Sequence, residues 1–114
     1  MSLATKSVPI VTDGTGVASA TVRGVCVVRC IDFELGTLST PDIDIIDAPV
    51  GTVMLSVDGV ATDKRYIPTI LGTDTAGANV AGAALPFPVM GRIQIDVTGG
   101  GASKTGRLVF LYER

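Results

Sequence analysis

The chain has 114 residues, of which 46% are hydrophobic and only 18% are charged, and its formal net charge is −2. This balance excludes an intrinsically disordered chain, which is poor in apolar residues and rich in net charge, and it offers no basic patch for nucleic acid. The sequence has no histidine, so Ser-His-Asp and Cys-His catalysis within the chain is excluded, and a common zinc ligand is missing.

The N-terminal segment predicts neither a secretory signal nor a membrane anchor. Residues 1–7 show no basic stretch followed by a long apolar run. The most apolar run, residues 24–28, is far shorter than the ~20 residues of a membrane helix. We therefore expect synthesis and retention in a reducing cytoplasm, or release by lysis, with no membrane partner.

The two cysteines, Cys26 and Cys30, lie four positions apart in the strongest strand candidate. On a strand this spacing separates them by about 13 Å, which is too far for a disulfide. We expect both to be small, buried, apolar side chains. A metal or redox pair is the alternative.

The first half of the chain predicts short strands separated by turns. Residues 12–16 form a turn because Asp13 and the neighbouring glycines favour turn backbone. Asp58 and Gly59 lie between apolar runs and predict a hairpin. Alternate residues from 18 to 30 are apolar and predict a core face, whereas the opposite face is only half apolar and is expected to be covered as well. The strand candidates are residues 7–11, 17–22, 25–33, 43–46, 52–57 and 60–67.

The second half contains a segment of a different kind at residues 68–88. It is rich in Gly, Pro and Ala, and its only charged residue is Asp74. Prolines at both ends argue against regular strand pairing there, and a loop of about twenty residues is uncommon in a small domain unless it is functional. We expect this segment to lie on a neighbouring surface. Two strands follow it, at residues 89–97 and 106–112, joined by a flexible hairpin tip at 98–104.

These elements predict an all-β fold in a single domain over residues 1–114. About seven or eight short strands with turns every ten residues are typical of an antiparallel β-sandwich, here jelly-roll-like. Many of the strands are apolar on parts of both faces. A chain of this size with so few charges is expected to cover part of its surface against other subunits.

No motif predicts a catalytic, cofactor or metal site. Residues 101–105 resemble a phosphate loop, but the required glycines are absent and a strand follows instead of a helix. Asp42, Asp44 and Asp47 fit charge protection of an edge strand, with a bound cation as the alternative. We expect no enzymatic activity, no cofactor and no metal.

Four basic residues stand among apolar neighbours: Arg23, Arg29, Lys64 and Arg65. They are interpreted either as solvated or locally paired side chains, or as intersubunit salt bridges, for which arginine is well suited.

Several short segments together resemble small proteins encoded near the head genes of tailed bacteriophages. The N-terminal strand and turn at residues 8–14 and the strand at 24–28 are similar to that layout. So are the Tyr-x-Pro segment at 66–68, the Asp-Thr-Ala-Gly segment at 74–77, and the Gly-Gly-x-x-Lys-Thr-Gly segment at 100–106 that leads into the last strand. The two cysteines and the acidic strand at 42–47 depart from it.

The resemblance implies a virion structural protein, namely a capsid decoration (cement) protein that binds itself and the major capsid protein. Such proteins are β-sandwiches or jelly rolls, often homotrimers, which places this one on the capsid surface after synthesis in the host cytoplasm. The alternatives are a receptor- or carbohydrate-binding module, a neck or tail component, or an enzyme subunit completed by a partner chain. The predicted contact residues are Arg29, Tyr66, Pro68, Leu85, Pro86, Phe87 and Pro88.

Overall fold

A computed structural model describes residues 2–25, 27–48, 51–73 and 75–113, and within them the chain forms ten β-strands. Their number exceeds the predicted seven or eight because the segment at 68–88 contributes two. The strands are β1 (Leu3–Val11), β2 (Ala18–Val22), β3 (Val27–Glu34), β4 (Asp42–Ala48), β5 (Thr52–Val57), β6 (Lys64–Tyr66), β7 (Thr69–Thr73), β8 (Asn79–Pro88), β9 (Arg92–Thr98) and β10 (Thr105–Glu113).

The strands form two antiparallel sheets that enclose one core, which confirms the predicted all-β sandwich. The first sheet has the order β1-β10-β3-β8-β7, and β6 pairs with β3 beside β8. The second sheet has the order β2-β9-β4-β5. Both sheets contribute to the core, whose largest fully buried side chains are Phe33, Phe87, Phe110, Ile10, Ile31, Ile43, Ile45, Ile93, Ile95 and Leu108.

Buried and outward-facing side chains alternate strictly in the central strands. In β9, Ile93, Ile95 and Val97 are buried, as predicted, because every second side chain points to the core. In β10, Leu108 and Phe110 are buried in the same way. The side chains between them point away from the core and form the outer faces of the two sheets.

The predicted hairpin at Asp58 and Gly59 is wrong. Strand β5 pairs with β4, and the chain then crosses to the first sheet, where β6 pairs with β3. The Gly59 amide donates to the Asp42 carboxylate at 2.8 Å, which fixes the crossing. An Asp-Gly turn reverses the chain locally, but it does not determine which strand pairs next.

The predicted hairpin tip at residues 98–104 is also wrong, because β9 belongs to the second sheet and β10 to the first. The connection is held by Thr12, which is buried. The Thr12 hydroxyl donates to the Gly101 carbonyl at 2.6 Å and accepts from the Lys104 amide at 2.8 Å. A Cβ atom on Gly100 would lie 3.0 Å from the Thr12 methyl group, so glycine is needed for this close packing.

The interpretation of Asp42, Asp44 and Asp47 as edge protection is wrong as well, since β4 lies between β9 and β5 inside the second sheet. Cys30 is a free, half-buried cysteine rather than a fully buried one, while Cys26 lies outside the described residues.

A projecting arm and two unlike faces form the candidate interaction surface

Strands β7 and β8 form a hairpin that we call the arm, so the prediction of a loop without strands at residues 68–88 is wrong. Thr69 pairs with Pro86, and Ile70 pairs with Leu85. A proline is tolerated in a strand that is paired on one side only, and β8 upstream of Phe87 has β7 as its single neighbour in the described sheet. The molecule measures 48 × 28 × 25 Å, as expected for a sandwich with an element that projects along one axis.

Phe87 anchors the arm. It pairs with Val28 of β3, is 2% exposed and belongs to the core cluster. Leu85 lies two residues before Phe87 in β8, so its side chain is on the same side of the strand. It is nevertheless 52% exposed. Ile70, which pairs with Leu85, still packs against the core. The apolar side of the arm therefore extends from the core into solvent.

The arm carries almost no charge, and neither does its base, which we define as residues 67–68 and 89–91. Between residues 67 and 91 the only charged residue is Asp74. This stretch also contains several of the large hydrophobic side chains that are exposed in the described part of the chain: Ile67, Val80, Leu85 and Met90. An exposed apolar surface without charges is unfavourable in water and marks a contact surface.

Asp47 fixes the base of the arm to the second sheet. It is 3% exposed, and its carboxylate accepts hydrogen bonds from the amides of Met90 at 2.8 Å and Gly91 at 3.2 Å. The segment that leaves β8 is thereby held at the end of β4. The Met90 side chain is 80% exposed in this position.

The outer face of the first sheet carries an apolar stripe. Val109 and Leu111 alternate with the buried residues of β10 and are half-buried, and Leu111 pairs with Cys30 of β3, which is also half-buried. Val27 of β3 extends the stripe next to Pro88 of the arm. The sequence pattern signalled Val27, Val109 and Leu111, but it placed Cys30 on the core face. The irregular pairing between Leu111 and Tyr112 turns Cys30 to the outer face instead.

Three ion pairs flank this stripe. Arg65 binds Asp32 through two hydrogen bonds of 2.6 and 2.9 Å, Arg29 contacts Glu113 at 2.7 Å, and Arg107 contacts Glu34 at 3.4 Å. The hydrogen bond from Arg65 lowers the pKa of Asp32, and the same bond raises the pKa of the Arg65 guanidinium. These six charges cancel in pairs, so the stripe lies on a surface with no local excess of either sign.

The outer face of the second sheet is different, because it is mostly polar and acidic, with an apolar patch of Val53 and Ile46 near its β5 edge. Thr21 donates to Gln94 at 2.9 Å, and Ser56 donates to Asp44 at 2.6 Å. Asp44 lies directly opposite Asp96 in the β4–β9 register. Neither carboxylate takes part in any of the three ion pairs. The four strands of this sheet contribute one basic residue, Arg92, to the face that carries Asp42, Asp44 and Asp96, so this face has an excess of negative charge.

The acidic residues of β4 accept hydrogen bonds from the protein itself: Asp42 from Gly59, Asp44 from Ser56, and Asp47 from Met90 and Gly91. Within the described ranges, no group of three or more His, Cys, Asp or Glu side chains is placed to hold a metal ion. No helix in that part of the chain could span a membrane.

The structure separates the predicted contact residues into three environments. Leu85 and Pro88 are exposed on the arm, and Pro86, which lies between them in the chain, is half-buried. Pro68 and Phe87 are buried within the chain, so they support the arm. The role of all these residues in an interface stays a prediction.

The other two predicted contact residues, Arg29 and Tyr66, lie outside the arm. Arg29 is exposed beside the stripe in its pair with Glu113. Tyr66 is half-buried, which raises its pKa, and the Lys64 ammonium lies 5.4 Å from its ring centre. Sequence reasoning missed the exposed Ile67 and Met90 at the base of the arm, although the uncharged run at 67–91 was a usable signal.

No family model matches the sequence, and no curated protein matches it either. A solved structure, the cryo-EM structure of the giant freshwater prawn Macrobrachium rosenbergii extra small virus (XSV) VLP, is similar to this chain at 12% sequence identity. The alignment covers 100% of this chain and 81% of that one, with a TM-score of 0.34. A TM-score this low does not indicate a shared fold.

Proposed function

We propose that this protein is a virion structural protein, and specifically a capsid decoration protein that self-associates and binds the major capsid protein. The single observation that carries the proposal is the arm, an anchored hairpin that has no charge apart from Asp74 and that exposes Val80 and Leu85. A protein that works alone gains nothing from such an element. A protein that works by contact uses it as the surface to be buried.

The mechanism is burial of apolar surface at subunit boundaries. Each Å² of apolar area removed from water contributes about 25 cal/mol, part of which offsets the entropy lost on association. A component that binds the assembled shell but not its separated subunits stabilises the shell by mass action. The anchoring of the arm through Phe87 supports this role, because an arm that is already fixed where it joins the sandwich loses less conformational entropy when it binds.

The described residues offer little to a sugar-binding function. The chain has no tryptophan, its three phenylalanines are buried, and Tyr66 and Tyr112 are half-buried. Sugar binding usually needs an exposed aromatic ring for stacking. We therefore rank decoration above a carbohydrate-binding module. The absence of enzymatic activity stays a prediction, which an activity screen on the oligomer tests.

The proposal is tested first by native mass spectrometry and light scattering of the purified chain at micromolar concentrations. We expect a closed oligomer, with a trimer as the first expectation and a dimer as the second. Leu85→Asp in the arm should dissociate it, whereas the matched control Val53→Asp, at an exposed apolar residue of the second sheet, should leave its mass unchanged. A monomer at all concentrations contradicts self-association.

The second test concerns the shell. Particles purified from the source are imaged with a gold-labelled antibody against this chain. Label on the capsid surface is the expected result. Label confined to the neck or tail rejects the decoration role but keeps a virion role, and unlabelled particles reject both.

A further inference from the structure

We infer that the arm of one copy packs across the apolar stripe of a second copy, and that this contact closes the oligomer. This inference depends on the proposed self-association and specifies its geometry. The arm comprises β7 and β8, and the stripe comprises Val27, Cys30, Val109 and Leu111 on the outer face of the first sheet.

The distribution of charge indicates which surface receives the arm. An arm with a single charged residue is best buried against a surface that is apolar and locally neutral. An unpaired charge buried under the arm would lose its hydration. The six charges that flank the stripe already form three pairs within the chain. The outer face of the second sheet presents Asp44 opposite Asp96, and an apolar arm lying there would desolvate both carboxylates. Of the two outer sheet faces, the stripe is therefore the more suitable for the arm.

The arm and the stripe occupy different positions on the first sheet. The arm lies at the β7 end, whereas Val109 and Leu111 lie on β10, next to the opposite edge strand β1, and Val27 of the stripe adjoins the arm at Pro88. The arm of one copy can therefore bind the stripe of another in two symmetric ways. The contact is either reciprocal, in a twofold dimer, or it passes from copy to copy and closes into a ring. The mass of the wild-type oligomer distinguishes these two arrangements.

The size of the arm is adequate for this contact. A standard protein interface uses about 20–30 residues on each side, and the two strands of the arm with their connection and base provide about that number. The Leu85 side chain is the natural centre of the contact because it is the large apolar residue exposed nearest to the anchor at Phe87.

A pair of complementary variants tests the inference. Leu85→Asp damages the arm and leaves the stripe intact, whereas Leu111→Asp damages the stripe and leaves the arm intact. In a ring or in a reciprocal dimer, every arm–stripe contact of either pure variant contains one damaged partner, so each variant alone should be monomeric. In an equal mixture, the intact arm of one variant can bind the intact stripe of the other. The expected product in native mass spectrometry is a dimer that contains one copy of each variant and does not grow further.

The other outcomes overturn the inference in identifiable ways. If Leu111→Asp alone still associates, the stripe is not the receiving surface. If Leu85→Asp alone still associates, the arm is not the donor. A wild-type oligomer whose two variants stay monomeric in the mixture also rejects it, because an intact arm and an intact stripe then fail to bind. In all three cases self-association survives, whereas a monomeric wild-type chain rejects the proposed function itself.

Folding of the variants is checked by circular dichroism and thermal melting, with Val53→Asp, another exposed apolar residue changed to a carboxylate, as the matched surface control. Leu85 is exposed, so Leu85→Asp should melt close to the control. Leu111 is half-buried, and if Leu111→Asp does not fold, Leu111→Gln replaces it in the same mixture. If either Leu111 variant associates on its own, the stripe is not the receiving surface.

Discussion

The burial of Phe87 and the exposure of Leu85 make opposite predictions for two truncations in one strand. Phe87 is 2% exposed and packs in the core, so Phe87→Ala removes a buried ring and leaves a cavity, at a cost of about 3–5 kcal/mol. This is a large part of the about 5–15 kcal/mol that stabilises a typical domain. Leu85 is 52% exposed. Full burial of a leucine contributes about 1.5–3 kcal/mol, so Leu85→Ala should cost the folded chain about 1 kcal/mol or less.

Urea unfolding followed by circular dichroism measures both costs, and light scattering of the same samples measures association. Because oligomers gain stability with concentration, the titrations are repeated over a range of protein concentrations. We expect Phe87→Ala to unfold at a much lower urea concentration at every protein concentration, and Leu85→Ala to lose mainly the concentration dependence. If Phe87→Ala unfolds like the wild type but no longer associates, the ring is an interface residue and the anchoring of the arm is refuted.

Three further predictions concern the contacts that hold the sandwich in shape. Asp47→Ala removes the acceptor of two amides at the base of the arm and should cost about 1–3 kcal/mol, with faster hydrogen exchange at those amides as the direct readout. Thr12→Val keeps the shape but leaves the connection between β9 and β10 without its hydroxyl, and thermal melting should show a loss of about 1–3 kcal/mol. Asp32 and Asp13 have lowered pKa values, Asp32 through Arg65 and Asp13 through a neighbouring threonine hydroxyl. The stability that these two carboxylates contribute is complete above the ordinary pKa of 3.8 and is lost as the pH falls through the lowered values. The melting temperature should therefore fall on acidification below pH 3.8, and less steeply in Asp32→Asn. The same dependence of melting temperature on pH in both proteins would contradict the Asp32–Arg65 pairing.

Alternation made the central strands predictable. Residues 52–57 were predicted with the bounds that β5 has, and β9 and β10 were predicted within a few residues. In β9 a burial period of two leaves one solution, because a shift by one residue would expose Ile93 and Ile95. In β5 the predicted inward face is wrong at Val53, which is 59% exposed while Met54 is buried, because the pairing with β4 is irregular next to Ile46. The fold class follows from the same pattern.

Pairing across the sandwich could not be predicted, because the signals that the sequence provides at turns are local. Asp58 and Gly59 form a turn, but the strand that follows pairs with β3 in the other sheet. The glycine-rich connection at 98–104 was interpreted as flexible, whereas the buried Thr12, about ninety positions away, holds it in place. Contacts of such sequence separation leave no trace in the composition of the segment.

The arm shows how one property of a segment can mislead about structure and still inform about function. Its glycines and prolines disfavour strands, and this predicted a loop, yet Gly82 adopts a positive φ of 79° inside β8 and gives the strand an irregularity that few other residues tolerate. The scarcity of charge over residues 67–91, where Asp74 is the one charged residue, is independent of secondary structure. Exposing this apolar segment to water is equally unfavourable whether it is a loop or a hairpin. The expectation that it lies against a neighbour therefore does not depend on the error about its backbone. The hairpin adds rigidity and a direction to that expectation, and these two properties allow the arm to reach a specific stripe on the next copy.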